Sequence, residues 1–391
     1  MSNTFDLNAI VRPNILKLVP YRCARDDYNL GILIDANENN FGPAALFNGN
    51  LPFDTSIDSK NPLSINRYPD PLSINTKQKF LSLRNYNLSI HNLFIGVGSD
   101  EVIDILVRIF CIPQKDKILI TPPTYGMYTV VAQINDVGVV KLPLNVENGA
   151  FQLQVDELID TVCNDPLIKI VWLCSPGNPT GTLLKIDHIK KILESDYKGI
   201  VVVDEAYIDF VSTDVSMAKY VSQYKNLLVM QTLSKSFGLA GARVGFGISS
   251  PEIIQIMNNV KAPYNISTLT QTAASDSLSS ESIASMRRIV SEIIRIRDHF
   301  LIPKLLNIKN VLDIIGSNDA NFVLVRFCNN DRVVDNLFTI KLYKLLADEF
   351  QVVVRYRGSE LGCEGCLRIS IGTEPEMTSV IDAINSALKM L

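Results

Sequence analysis

Residues 199–207 read G-I-V-V-V-D-E-A-Y, an apolar run that stops at Asp204 and passes into turn residues. Four more runs of this kind lie between residues 116 and 235, separated by helix-length segments: K-I-L-I-T-P-P-T-Y, V-V-K-L-P-L, I-K-I-V-W-L-C-S-P and N-L-L-V-M-Q-T-L-S-K. Strands that are apolar throughout are typical of a mostly parallel sheet that is covered by helices on both faces. The sequence therefore predicts an α/β fold built on such a sheet.

Polar residues follow several of these runs, just past the predicted strand ends. They are Tyr125, Asn178, Asp204, Tyr207 and Lys235. In parallel sheets, functional residues cluster beyond the carboxyl ends of the strands. This convergence carries more weight than any single motif, and it predicts one site at that edge of the sheet.

Lys235 lies in T-L-S-K-S-F-G-L-A-G-A-R-V-G-F, residues 232–246, a loop punctuated by glycines. Its amine could form an imine with an aldehyde cofactor, while Ser234 and Arg243 hold a phosphate end. The same phosphate site would be completed by F-I-G-V-G-S-D-E-V-I, where Ser99 or Asp100 would cap a helix whose first amides are free. The plain alternatives are a solvated lysine in a polar loop and an ordinary helix cap.

Pyridoxal 5'-phosphate needs such an amine, and also a carboxylate at its ring nitrogen, donors to its phenolic oxygen and a stacking surface. Asp204 closes a buried strand, which is costly without a cation such as a pyridinium. Asn178 and Tyr207 can donate to the phenolic oxygen, and Tyr125 can stack on the ring. Each has a structural alternative: a helix N-cap for Asp204, a turn residue for Asn178 and core packing for Tyr125.

Length and composition set the remaining limits. A chain of 391 residues accommodates two domains, and a net charge of -4 does not indicate nucleic-acid binding. The apolar runs are too short to span a membrane, and the N-terminus lacks the pattern of a secretory signal, so we expect a cytoplasmic protein. Seven cysteines, an odd number, suit reduced thiols. The C-x-x-C pair Cys363 and Cys366 lacks further ligands, so no metal site is predicted.

The sequence predicts three regions. They are an N-terminal segment at 1–44 that joins the small domain, a large cofactor-binding domain at 45–285, and a small α+β domain at 286–391. Further predicted elements are a strand at G-I-L-I-D, helices over 72–91, 336–349 and from Glu374, helices within 251–300 around the break V-K-A-P-Y-N-I, and strands at N-F-V-L-V-R-F and V-V-V-R-Y-R. The four arginines at 287, 288, 295 and 297 are expected on solvated helix faces.

Taken together, the motifs resemble the histidinol-phosphate aminotransferases, a branch of the aspartate-aminotransferase-like, fold type I enzymes. They run in order from about residue 12 to residue 373, and the opening R-P-x-I-x-x-L-x-P-Y-R-C-A-R-D-D resembles the fungal members. The motifs are A-N-E-N-N-F-G-P, R-Y-P-D-P, G-V-G-S-D-E, P-P-T-Y, S-P-G-N-P-T-G, V-V-D-E-A-Y, T-L-S-K-S-F-G-L-A-G-A-R-V-G and C-L-R-I-S-I-G-T. The resemblance implies a large domain with a mostly parallel seven-stranded sheet and a smaller α+β domain. Asn40 replaces a proline that many members carry.

The resemblance also implies a role for each cofactor residue. Lys235 would form the imine with pyridoxal 5'-phosphate and shuttle protons. Asp204 would pair with the pyridinium, Asn178 and Tyr207 with the phenolic oxygen, and Tyr125 would stack on the ring. Ser99, Asp100, Ser234 and Arg243 would surround the phosphate.

Substrate residues are implied in the same way. Arg368, helped by Arg355, would bind the carboxylate of glutamate and, alternately, the phosphate of histidinol phosphate, with Asn178 nearby. Tyr21 would close over the substrate from the N-terminal segment. Tyr68 would reach the cofactor phosphate of a second subunit, which implies a homodimer.

The resulting hypothesis is a transamination in two half-reactions, linking histidinol phosphate and imidazole acetol phosphate to glutamate and 2-oxoglutarate. Lys235 would remove the Cα proton and return it, as base and acid in turn. The alternatives are an aromatic amino-acid aminotransferase, a pyridoxal phosphate decarboxylase of a phosphorylated amino acid, and a non-catalytic member of the fold.

Overall fold

A seven-stranded sheet forms the centre of the larger part of the chain. The computed structural model describes residues 5–19, 35–38, 65–84, 86–211 and 215–391. The strands are β1 Leu93–Val97, β2 Lys117–Ile120, β3 Gly138–Lys141, β4 Ile168–Cys174, β5 Ile200–Asp204, β6 Leu227–Thr232 and β7 Val244–Ile248, in the order β1-β7-β6-β5-β4-β2-β3. Every neighbouring pair is parallel except the two that involve β7. The predicted mostly parallel, seven-stranded sheet is confirmed.

Both faces of this sheet are covered, as the uninterrupted apolar runs predicted. Along β5, Val201 and Val203 belong to one hydrophobic cluster and Ile200 and Val202 to the cluster on the opposite face. This alternation follows from the period of two in a strand. The buried strands therefore hold the polar residues at their carboxyl ends against a rigid background.

Ten helices accompany this sheet within the described residues. They are α1 Leu7–Ile10, α2 Pro13–Leu16, α3 Ile74–Arg84, α4 Gly98–Phe110, α5 Met127–Ile134, α6 Val155–Asn164, α7 Ile186–Leu193, α8 Pro251–Val260, α9 Thr268–Ser277 and α10 Ser280–Arg295. None of the helices in the described part of the chain has the length and apolar character that crossing a membrane requires. The predicted break between two helices in 251–300 is confirmed.

A smaller antiparallel sheet occupies the C-terminal part of the chain. Its strands are β8 Val311–Ile315, β9 Phe322–Phe327, β10 Arg355–Tyr356 and β11 Cys366–Ser370, in the order β10-β11-β9-β8, with helices α11 Ile302–Leu306, α12 Asn336–Asp348 and α13 Glu374–Leu388. Val323 and Val325 of β9 join the core of this part, whereas Phe322 and Leu324 join a core cluster of the large sheet. The α+β character is confirmed, and β9 packs against both cores.

Three local predictions were wrong. The helix expected over 72–91 ends at Arg84, and Asn87 adopts a left-handed conformation with φ 55°, which a helix cannot continue through. The strand expected at V-V-V-R-Y-R pairs with β11 only at Arg355 and Tyr356, because strand propensity does not supply a pairing partner. Arg297 is buried, donating to the carbonyl of Ala320 at 2.9 Å, although the other three arginines are exposed as expected.

Several predictions are not decided by these residues. Tyr21, Asn40 and residues 31–34 of the first predicted strand lie outside the described residues. The domain boundaries after residues 44 and 285 stay predictions. Cys363 and Cys366 are buried free thiols, and no group of three or more metal-binding side chains occurs in the described ranges.

Candidate active site

A cavity of about 460 Å³ lies where the carboxyl ends of β4, β5 and β6 face the small sheet. Cys174, Asp204 and Thr232, the last residues of these strands, line it. The structure brings together there eleven of the thirteen residues predicted for the site: Ser99, Asp100, Tyr125, Asn178, Asp204, Tyr207, Ser234, Lys235, Arg243, Arg355 and Arg368. The strand-end argument therefore located the cavity.

The two remaining residues are the tyrosines assigned by resemblance. Tyr21 lies outside the described residues. Tyr68 lines a separate polar cavity and is 54% exposed, with its ring stacked on Tyr264 at a centroid distance of 4.6 Å. Tyr68 thus has a stacking partner within its own chain, and its predicted contact across a dimer stays a prediction.

Asp204 is a buried carboxylate whose hydrogen bonds come from neutral donors. Its Oδ2 accepts from the Tyr128 hydroxyl at 2.7 Å, and its Oδ1 accepts from the backbone N–H of Ala206 at 3.2 Å. Burial raises the pKa of Asp204 to about 6, against the effect of these two hydrogen bonds. The structural alternative, a helix N-cap, is wrong, because Tyr207 caps the next helical turn at Ile208–Phe210. The bond from Ala206 is a turn contact, and it occupies only one oxygen. A carboxylate in this setting would be stabilised by a cation inside the cavity.

Sequence reasoning missed Tyr128, which contacts Asp204 but does not line the cavity. Its ring is fully buried, stacks on Trp172 at 4.8 Å and meets the edge of Tyr125 at 5.6 Å. No local pattern indicated this residue, because its contact with Asp204 joins positions 76 residues apart in sequence. Tyr128 therefore connects the predicted stacking residue to the predicted carboxylate.

The amine of Lys235 lies 5.7 Å from the centre of the Tyr207 ring. Burial, and then repulsion by Arg368, lower the pKa of Lys235, while Asp204 acts in the opposite direction. Tyr207 is itself buried, which raises the pKa of its hydroxyl and keeps it protonated as a hydrogen-bond donor. An amine with a lowered pKa beside a neutral phenol is suited to accepting protons.

Asn178 is oriented by the small sheet. Its Oδ1 accepts a hydrogen bond from Nη1 of Arg368, whose guanidinium lies 5.1 Å from the centre of the Phe322 ring. With the oxygen turned to Arg368, the amide nitrogen of Asn178 is available as a donor elsewhere. The bond to Arg368 also argues against the alternative that this asparagine only satisfies its own turn.

The predicted phosphate site surrounds the start of α4. The helix begins at Gly98 with Val97 as its cap, so the prediction of a cap at Ser99 or Asp100 was wrong. The reason is Glu101, whose side chain accepts a hydrogen bond from the backbone N–H of Val97 at 2.5 Å. A residue of the helix itself therefore caps its start. The amides of Ser99 and Asp100 consequently belong to the first turn, where anions bind.

Three observations fit a phosphate and a pyridinium ring in this cavity. The Ser99 hydroxyl is buried and finds no hydrogen-bond partner among the described residues. A Cβ on Gly98 would lie 2.5 Å from the Arg243 guanidinium, so the glycine leaves room for that group. Asp204 has only neutral donors, as shown above. The donor set therefore fits pyridoxal 5'-phosphate.

Arg243 is held at the cavity by a carboxylate. Its Nη2 pairs with Oδ2 of Asp100 at 3.1 Å, and the Tyr125 hydroxyl donates to the other oxygen of Asp100 at 3.2 Å. The backbone N–H of Ser234 donates to the Thr232 hydroxyl at 3.1 Å, which orders the loop beside Arg243. The predicted phosphate residues are thus connected to the predicted stacking ring.

A buried ionic group lies behind the lysine loop and was also missed. Arg84 of α3 pairs with Asp209 at 2.6 Å, and Asp209 accepts from the Ser236 hydroxyl at 2.5 Å. Ser236 directly follows Lys235, so the pair anchors the lysine loop to α3. No local motif indicates a contact between residues this far apart in sequence.

Two arginines, Arg355 of β10 and Arg357 directly after it, line the same cavity as Lys235. Arg355 lies directly across from Arg368 in the antiparallel register, as predicted for a shared anion site. Arg357 was missed, although it lines the same cavity and pairs with Glu360 at 2.7 Å. The alternation in R-Y-R was the available signal, because residues two apart in an extended segment point to one face.

Comparison with known proteins agrees with this arrangement. Residues 57–384 match the family model for aminotransferase class I and II. The chain is 49% identical to histidinol-phosphate aminotransferase of Schizosaccharomyces pombe, with 98% of each chain covered. It is 44% identical to the protein of that name from Saccharomyces cerevisiae, with 99% of each chain covered.

The fold has solved counterparts as well. The structure of histidinol-phosphate aminotransferase from Sinorhizobium meliloti in complex with pyridoxal-5'-phosphate superimposes with a TM-score of 0.72 at 21% sequence identity. The match covers 91% of this chain and 90% of that one. At this level of identity the likeness supports the fold.

Proposed function

Since the chain belongs to the class I and II aminotransferases, and among them to the histidinol-phosphate aminotransferases, we propose that it transfers an amino group between L-histidinol phosphate and 2-oxoglutarate. The cofactor is pyridoxal 5'-phosphate, and the reaction is a step of L-histidine biosynthesis. One observation carries the proposal: a single cavity joins an amine of lowered pKa, a buried carboxylate and a set of arginines.

The large sheet supplies the residues for the cofactor ring. When bound, pyridoxal 5'-phosphate supplies an aldehyde for the amino group and a ring that takes up the electrons left at the substrate Cα. Asp204 would hold the ring nitrogen in its protonated form, oriented by Tyr128. Asn178 and Tyr207 would donate to the phenolic oxygen, and Tyr125 would cover the ring face.

The phosphate of the cofactor would lie at the start of α4. Ser99 supplies an unused hydroxyl, and the first amides of the helix supply further donors. Arg243 offers a planar fork of N–H groups that matches phosphate oxygens. The Asp100 carboxylate keeps this guanidinium at the cavity and limits its freedom before the anion arrives.

Lys235 would take up the proton of the substrate Cα at its Nζ and hold it for return. The lowered pKa makes the unprotonated form of Nζ easier to reach, and the proton that Nζ would accept is the one it would later return. Arg368 favours the neutral amine by repulsion. Below the pKa of the lysine, Nζ carries a proton already and the transfer stops, so activity is expected to fall as the pH drops.

The arginines on the small sheet bind the anionic end of each substrate. Arg368 contacts Asn178 and lies opposite Arg355, so one site can receive either the carboxylate of glutamate or the phosphate of histidinol phosphate. Alternating occupation of one cationic site suits a reaction in two half-steps with two different amino donors.

The assembly and the compartment complete the proposal. The enzyme is a homodimer in which Tyr68, exposed on its own chain, contacts the cofactor phosphate of the partner. A Tyr68→Phe variant should lose cofactor affinity only at protein concentrations where the dimer forms. The compartment is the cytoplasm, a location supported by six described cysteines that are all free thiols.

A half-reaction titration tests the function. Holoenzyme is mixed with histidinol phosphate, glutamate, phenylalanine or tyrosine in turn, and the absorbance of the cofactor is followed. We expect a rapid change with the first two. An equal response to phenylalanine and tyrosine would indicate an aromatic aminotransferase, release of carbon dioxide a decarboxylase, and no change with any donor a protein that only binds cofactor.

A further inference from the structure

Arg357 has no role in the function described so far, yet its side chain reaches the active-site cavity. It follows β10 directly, and its backbone N–H donates to the carbonyl of Cys366 at 2.9 Å. The Glu360 N–H in turn donates to the Arg357 carbonyl at 3.0 Å. These two bonds fix the backbone of the segment, and the backbone in turn sets the direction in which the Arg357 side chain points.

The guanidinium of Arg357 is only partly used by the protein. Its Nη1 donates to Oε1 of Glu360 at 2.7 Å, and this side chain is 21% exposed. Its Nε is buried and has no hydrogen-bond partner in the described part of the chain, and the same holds for Nε of Arg368. Several donors are therefore held in place without a protein acceptor.

The charges near this guanidinium are out of balance. Three arginines, Arg355, Arg357 and Arg368, line the cavity, and the one carboxylate paired with them is Glu360 among the described residues. Burial, and then repulsion by Arg357 and Arg355, lower the pKa of Arg368. Two positive charges thus remain uncompensated, which matches the charge of a phosphate dianion better than that of a single carboxylate.

Building on the proposed function, we propose that Arg357 selects for the phosphate of the amino donor, and that Glu360 positions it. A carboxylate has two oxygens and can be bound by Arg368 alone. A phosphate presents a third oxygen and a second negative charge, and Arg357 supplies the donors for these. Glu360 holds the guanidinium toward the cavity and, through its own charge, weakens the binding of every anion there.

The test compares histidinol phosphate with histidinol, which differs from it only in the phosphate, and with glutamate, whose anionic end is a carboxylate. Dissociation constants for histidinol phosphate, histidinol and glutamate are measured from the half-reaction of holoenzyme, for the unaltered protein and for Arg357→Gln. We expect Arg357→Gln to weaken histidinol phosphate by about 10- to 100-fold, the range for a hydrogen bond between charged groups, and the other two by less than about threefold. Arg295→Gln, which removes an exposed arginine paired with Glu292 and Glu374, is the matched control and should change nothing.

Two further variants separate a role in phosphate binding from a merely structural role. Arg357→Lys retains the charge but not the fork and should fall between the unaltered protein and Arg357→Gln, which covers the case that the glutamine variant folds poorly. Glu360→Gln keeps an oxygen that can accept from Arg357 but loses the charge, so histidinol phosphate should bind about two- to fivefold tighter. A merely structural role for the pair would weaken binding instead.

Inorganic phosphate separates this inference from the proposed function. It should compete with glutamate in the unaltered holoenzyme, and it should compete about tenfold less well in Arg357→Gln. Failure of the unaltered holoenzyme to react with histidinol phosphate would overturn the function. Equal losses for histidinol phosphate and histidinol, or unchanged competition by inorganic phosphate, would overturn the role of Arg357.

Discussion

The two sheets contribute to the active site in opposite ways. In the large sheet, Asp204 at the carboxyl end of β5 is buried and its two oxygens already accept hydrogen bonds. In the small sheet, Arg355 of β10 is exposed, and Arg357 and Arg368 each keep an Nε–H without an acceptor among the described residues. The difference indicates that the large sheet fixes the groups that act on the cofactor, whereas the small sheet keeps its donors for the substrate.

The packing explains this division. β5, which ends at Asp204, and β6, which ends three residues before Lys235, lie in the middle of a sheet with a core on each face, so their ends have little freedom. β10 consists of two residues at the edge of a four-stranded sheet. An edge position leaves side chains free to face a ligand, at the cost of a less rigid support.

The largest effect is expected for Lys235, which follows β6 of the large sheet. Lys235→Ala should lower turnover by about 10³-fold or more, because Lys235 is the one lysine among the described residues that line the cavity. Circular dichroism and the melting temperature should stay near those of the unaltered protein. Lys341→Ala, an exposed lysine on α12, is the control. Near-native turnover in Lys235→Ala would remove the basis for assigning chemistry to the large sheet.

The contribution of the small sheet to substrate binding is tested by the Arg355→Ala variant. We expect kcat/KM for histidinol phosphate to fall by about 10- to 100-fold and kcat/KM for glutamate to fall less, because the phosphate carries the greater charge. Steady-state kinetics with each donor measures the ratio. Equal losses for both donors would show that Arg355 does not discriminate between the two substrates.

The Tyr128→Phe variant tests how the hydrogen bond from Tyr128 affects Asp204. The hydroxyl donates to the charged form of Asp204 and so lowers its pKa; the variant therefore has a higher pKa than the present value of about 6. Cofactor affinity of the apoprotein should fall about fivefold at pH 7, and its loss on acidification should begin at higher pH. Fluorescence titration with pyridoxal 5'-phosphate measures both. An unchanged pH dependence would mean that Tyr128 only fills space.

The smallest effect concerns Glu205, which lies next to Asp204 and accepts from Ser216 at 2.6 Å and Gln231 at 2.8 Å. Burial raises its pKa from 4.5 to about 7. Between these values the folded protein binds the proton and the unfolded chain does not, so stability is lost as the pH rises through this window.

Glu205→Gln lacks this proton and should lose less stability over the same pH range. The melting temperature of the variant relative to the unaltered protein should therefore rise by a few degrees between pH 5 and pH 8. Calorimetry at both pH values measures this difference. Parallel pH profiles for the two proteins would show that the Glu205 carboxyl does not carry this pH dependence.

Local pattern was sufficient for the residues at strand ends. Asp204, Asn178 and Lys235 could be placed together because a buried parallel sheet brings every strand end to one edge. The same reasoning could not find Tyr128 or the contact between Arg84 and Asp209. Tyr128 lies within a helix, and Arg84 meets Asp209 across 125 residues of sequence, so neither contact has a local signature.

Apolar periodicity and turn residues thus specify the strands, their burial and the polar groups at their ends, since these depend on neighbours along the chain. Distances between elements decide the rest. The register that sets Arg355 opposite Arg368, the bond from Tyr128 to Asp204 and the partner of Arg357 each arise when remote segments pack. The pKa values of Asp204 and Lys235 belong to the same category, because burial is a property of the folded chain.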